Sequence, residues 1–183
     1  MIQRLQSLLL LVAALANFAA LLLPYGYADT QDAMDSPSAR LYGGYAVISA
    51  LNDDPAAGEN FGEFAQTTLT VGDDALLTIH ALLIGLNGIA LIGMIFLYNN
   101  RPRQMRLVYV GLLMLMAQIA LAAAMIWTSM PKWVGAENVD PSNFDLGPMS
   151  GFFVPLVSVL LVWFAAKRIE KDERMVRDMD RLR

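Results

Sequence analysis

Polar and apolar positions separate into long blocks along this chain rather than alternating at short range. Four blocks stay apolar for about twenty residues, at about 5–25, 76–98, 107–127 and 149–169. A bilayer core of about 30 Å is crossed by about 20 residues of helix, so each block predicts one transmembrane span. No Asp, Glu, Lys or Arg occurs in them before Lys167 and Arg168, at the end of the fourth. A charge at mid-bilayer costs at least about 2.5–3.5 kcal/mol, so four long charge-free stretches are a strong signal. The first block is longer than the apolar region of a signal peptide, and no small-residue cleavage pattern precedes Asp29. It is read as a true span.

Between the first two blocks lies a long connection, residues 26–74. Its segments LYGGYAVISALN and NFGEFAQTTLTVG are rich in β-branched and aromatic residues bounded by Gly and Asp. They predict short strands in a two- or three-stranded sheet. Asp73 and Asp74 directly precede the second block and read as helix N-caps. The next connection, NNRPRQMR, allows only a tight antiparallel turn. The expected fold is an all-α membrane protein: an antiparallel four-transmembrane-helix bundle whose first extracytoplasmic loop has room for a small β-sheet. The last segment, residues 167–183, reads as a cytoplasmic helical tail. Glu170–Arg174 and Glu173–Arg177 are i,i+4 pairs on it, and Met175, Met179 and Leu182 form a narrow apolar stripe suited to a partner.

Charge orients the spans. If both termini share a side, that side holds 11 of the 13 basic residues and a net charge of +6, and the other carries −10. The basic side is cytoplasmic by the Lys/Arg rule. Tyr25, Tyr27, Trp127 and Trp133 fall at the outer boundary and Tyr98, Tyr109 and Trp163 towards the inner one, as interfacial anchors.

Composition removes most chemistry. Hydrophobic residues make up 56% and charged residues 16%, against about 25% charged in soluble domains, which also argues against a nucleic-acid binder. Zero cysteines and one histidine exclude disulfides, thiolate sites and a multi-histidine metal or haem site within one copy. No cofactor is expected. Polar side chains inside the spans are the remaining candidates. Asn17, Asn87, Gln118 and Ser158 each lie near the middle of one span and share roughly one bilayer depth at about 1.5 Å per residue. They read first as a structural layer of interhelical hydrogen bonds and second as a path for a solute or ion. His80 lies seven residues before Asn87, on nearly the same face, and reads as a hydrogen-bonded packing residue. Ala16/Ala20, Ala81/Gly85 and Ala117/Ala121, with Gly88 and Gly93, have the spacing of close helix approach.

The opening MIQRLQSLLLL, the four-span layout and the ending RIEKDERMVRDMDRLR resemble one family. Most specific are Lys171-Asp172-Glu173, Val176-Arg177 and Asp180-Arg181-Leu182-Arg183. The family is the uncharacterised four-helix membrane proteins of Bacteroidota and their relatives, domain of unknown function 4293. The resemblance implies a bacterial inner-membrane location and no particular activity. From the missing catalytic chemistry, the small-residue faces and the charged helical tail, the expectation is a non-catalytic membrane subunit or scaffold. Its partners would be the lipid bilayer, other membrane proteins and a second copy of itself. The alternative is transport along the midplane layer.

Overall fold

The computed structural model describes residues 2–30, 38–51, 64–97, 100–133 and 144–181. In chain order these form α1 (Ile2–Ala19), a 3₁₀ turn (Ala20–Leu22), β1 (Pro24–Thr30), β2 (Ser38–Tyr42), β3 (Tyr45–Leu51) and β4 (Phe64–Thr70). Then follow α2 (Ala75–Phe96), α3 (Arg101–Ala124), a π-helical turn (Met125–Ser129), α4 (Met130–Trp133), β5 (Phe144–Pro148) and α5 (Ser150–Arg181). The protein is mostly helical, with a small antiparallel sheet. Four helical runs are long and apolar enough to cross a membrane: Leu5–Leu22, Ala75–Phe96, Pro102–Trp133 and Ser150–Asp178.

The chain forms two compact units. The first comprises Met1–Ala19, Leu83–Ile119 and Phe153–Arg183. Its buried positions recur in steps of three and four. They include Gln6, Leu10, Ala13 and Asn17 on α1; Ile84, Asn87, Leu91 and Met94 on α2; Gln104, Val108, Gly111, Leu115 and Gln118 on α3; and Ser158, Val162, Ala165, Ile169 and Asp172 on α5. Such spacing keeps one stripe of each helix on a common side. Apart from Ile84 and Gly111, the apolar members of the four stripes belong to one core cluster. Off the stripes, Leu8, Leu15, Leu86, Ile89, Leu113 and Leu160 are exposed. Gly88 admits the ring of Phe18, since a Cβ there would lie within 2.7 Å of three ring atoms. Gly85 and Gly93 have open space instead. Of the glycines singled out by spacing on α2, only Gly88 therefore marks a close approach.

The second unit comprises Ala20–Leu82 and Ala120–Phe152. Its sheet has five strands in the order β4-β3-β2-β1-β5, all antiparallel. The expectation of two or three strands, all from the first connection, is corrected. β1 begins on the last two residues of the first apolar block and runs into the first connection, and β5 comes from the connection after α3. The first helix accordingly stops short of Tyr25. Pro24 lacks an amide hydrogen and disfavours helical geometry in the residue before it, and as the first residue of β1 it sits where a strand tolerates proline. Tyr25 is then fully buried rather than placed at a surface. Ala28, Ala39, Leu41, Ala46 and Ile48 supply the sheet's buried face. At the β4–α2 junction Asp74 Oδ1 accepts the Leu77 amide at 2.9 Å and caps α2. Asp73 does not cap. Its Oδ2 accepts from the Thr70 amide at 2.7 Å and the Thr70 hydroxyl at 2.9 Å, closing the turn.

Candidate functional site

The four polar residues singled out by depth, Asn17, Asn87, Gln118 and Ser158, are all buried in the first unit. They occupy the stripes for the same reason the apolar residues do: each falls at a three- or four-residue step from buried neighbours. Ser158 Oγ donates to the Ala13 carbonyl at 3.2 Å, joining α5 to α1. Asn17 Nδ2 donates to the Ile84 carbonyl at 2.7 Å, joining α1 to α2. Asn87 Nδ2 donates to Gln118 Oε1 at 2.9 Å, joining α2 to α3. Ala13 is one turn from Asn17, and Ile84 is one turn from Asn87. The result is a belt of three interhelical hydrogen bonds that runs through all four helices within about two turns. Asn17 Oδ1 and Asn87 Oδ1 are buried and have no donor among the described residues.

Three further buried polar residues were not anticipated. Gln6 Nε2 donates to Asp172 Oδ2, joining α1 to α5. Gln104 Nε2 donates to the Met94 carbonyl at 3.0 Å, joining α3 to α2. The signal for them was the stripe itself: Gln6 is four residues before Leu10, Gln104 four before Val108 and Asp172 three after Ile169.

In the second unit His80 is fully buried, with its ring edge-on to Tyr25 at 4.7 Å between centroids. Neither ring nitrogen reaches a hydrogen-bond partner among the described residues. The Gly43 backbone interacts with the ring electrostatically without meeting that geometry. His80 is thus packed edge-on against Tyr25 with the Gly43 backbone beside its ring. On the sheet's other face, Asp29 and Asp145 stand directly opposite across β1 and β5. Like charges so placed repel. Arg40 holds Asp29 by two hydrogen bonds of 2.5 and 3.0 Å and covers the Tyr27 ring at 5.6 Å. Tyr27 Oη donates to Asp145 at 3.4 Å. The Asp145 charge is the main cause that raises the Tyr27 hydroxyl above the ordinary tyrosine value, and burial adds to it.

Met175 of the tail stripe is 41% exposed on α5. The Met179 side chain and Leu182 lie outside the described residues, as does Tyr98. Both Glu→Arg pairs of the tail form, at 2.5 Å for Glu170–Arg174 and 2.7 Å for Glu173–Arg177.

Among the described residues no three His, Cys, Asp or Glu side chains gather in a way that would hold a metal ion. The polar belt engages all four long helices, and its chemistry is that of neutral amides and a hydroxyl. No curated protein matches this chain. A family model does match, described as Domain of unknown function (DUF4293), over residues 2–182. Nearly the whole chain is covered, and the protein belongs to the DUF4293 family.

Proposed function

We propose that this is a multi-pass protein of the bacterial inner membrane whose long helices form an antiparallel four-helix bundle with both termini in the cytoplasm. It acts as a non-catalytic subunit or scaffold of a larger membrane complex. The observation that carries this reading is the polar belt. Its side chains are spent on bonds from helix to helix, which holds a bundle together and presents no nucleophile or general base. The exposed leucines and isoleucines of the four helices suit contact with lipid, and the bias of basic residues sets the orientation.

The chain has no cysteine, so single-cysteine variants test the topology cleanly. Ser49→Cys on β3 should react with a membrane-impermeant maleimide from the periplasmic side, and Arg177→Cys on α5 only after lysis. The reverse pattern refutes the orientation. For the subunit role, gentle purification from native membranes should retain a partner, and Met175→Asp with Met179→Asp should release it without loss of membrane insertion. A lone monomer before and after substitution refutes that role. A second reading, passage of a small solute or ion along the belt, is favoured by Asn17 Oδ1 and Asn87 Oδ1, which have no donor among the described residues. It predicts solute flux in vesicles that Asn87→Leu abolishes.

A further inference from the structure

One face of α5 carries an amphiphilic track. Leu156, Leu160, Trp163, Lys167, Lys171 and Arg174 follow one another at steps of three and four, so they share a side of the helix. All but Lys171 and Arg174 lie within the first eighteen residues of α5, and the whole track extends about 27 Å at about 1.5 Å per residue. The change of chemistry along it is abrupt. Leu156, Leu160, Trp163 and Phe164 are exposed and apolar. From residue 167 to 174 every exposed position is charged.

The polar end is a groove. Lys167, Glu170, Lys171 and Arg174 line an open space of about 240 Å³. Glu170 divides its carboxylate between Lys167 at 3.6 Å and Arg174 at 2.5 Å. Lys171 has no acidic partner within ion-pair distance among the described residues. Three cations thus meet one carboxylate, and the groove keeps an excess of positive charge. Where it joins the apolar half, Lys167 Nζ stands 6.0 Å from the Trp163 ring centroid.

We propose that this groove binds the phosphodiester headgroup of an anionic phospholipid. Lys171 and Arg174 contact the phosphate, and an acyl chain lies along Trp163, Leu160 and Leu156. The source is a lipid because the cationic groove opens onto an apolar track of the same helix face, which matches an amphiphile and offers free phosphate nothing. The inference rests on the reading that α5 crosses a bilayer.

The full-length protein, purified in mild detergent, is titrated with phosphatidylglycerol, with phosphatidylcholine and with inorganic phosphate, and bound lipid is counted by native mass spectrometry. Phosphatidylglycerol should be retained over phosphatidylcholine. Retention should fall by about tenfold in Lys171→Gln/Arg174→Gln and stay intact in Lys171→Arg. The control Arg103→Gln/Arg106→Gln removes the same charge from α3, off the track, and should change retention little. Equal loss in the two double variants overturns the proposal, since bulk charge alone would then act. Competition by inorganic phosphate at matched concentration overturns it in favour of a simple anion site, and indifference to the headgroup overturns it outright. Co-flotation with vesicles is scored separately. A chain that fails to float refutes the membrane reading, whereas one that floats without headgroup preference refutes only this inference.

Discussion

Replacing Gly88 and Gly85 in turn by alanine places the same methyl group on one helix, three residues apart, in opposite surroundings. In a helix interior the change should be favourable by about 1 kcal/mol, because alanine loses less backbone freedom than glycine. At Gly85 nothing lies within 4 Å of the added Cβ among the described residues, so that gain should appear as stabilisation. At Gly88 the Cβ would meet three atoms of the Phe18 ring at 2.7 Å or less. Such overlap forces the ring or the helix to shift, at a cost of about 1–3 kcal/mol. Gly88→Ala should therefore be less stable than Gly85→Ala by about 1–3 kcal/mol. Phe18 is the neighbour of Asn17, so a retreat of α1 would also stretch the Asn17 bond to the Ile84 carbonyl, now 2.7 Å. SDS titration in mixed micelles, followed by circular dichroism, measures the difference. Adding Phe18→Ala should remove most of the penalty, with a coupling of about 1–2 kcal/mol. Equal effects of the two glycine substitutions, or strict additivity with Phe18→Ala, would refute the packing argument.

Gly151→Ala should be harsher than Gly88→Ala, because its Cβ would lie 2.8–3.0 Å from the backbone of Leu23 and Pro24, which cannot rotate away. Thermal unfolding and yield of folded protein read this directly. Asp74→Ala removes the cap on the Leu77 amide and should cost about 1 kcal/mol, with Asp74→Asn recovering most of it in the same assay. Asp73 is held below the ordinary carboxylate value chiefly by the Thr70 amide and then by its hydroxyl. Its contribution is present above the unfolded value near pH 4 and is lost as pH falls through the depressed one. Melting temperatures between pH 6 and pH 2 should fall less steeply in Asp73→Asn than in the parent, and identical slopes would sink that assignment.

Length and hydropathy were enough to find the four long helices, because a helix that must be apolar for about twenty residues is conspicuous against any background. The sheet was half legible. Val47, Ile48 and the Thr-rich stretch of β4 advertise strands, but β1 hides behind an apolar block that pattern alone extends to Tyr25. β5 reads FDLGP, a composition closer to a turn, and becomes a strand by pairing with β1 from Gly26 to Thr30, with Gly147 under the Tyr27 ring. That pairing is non-local and leaves no mark in the segment itself. Depth along each block located the polar belt residues, yet their partners were not readable, since two of the three acceptors are backbone carbonyls with no sequence signature. Gln6 and Gln104 sit near helix starts and Asp172 lies in the charged stretch of α5, where polarity passes for solvent exposure until the buried stripe is followed outward.

The use of those carbonyls gives the belt an uneven genetic footprint. A carbonyl at Ala13 or Ile84 survives any change of side chain, so packing alone limits what may stand at those two positions. Asn17 and Ser158 must keep a donor of the right reach, and Asn87 and Gln118 must keep each other. Two of the three connections can thus outlast sequence drift on their accepting side, and only the α2–α3 connection requires a matched pair of substitutions to change. Saturation mutagenesis scored for folded protein should show that contrast as many tolerated apolar residues at position 84 and few of any kind at position 118.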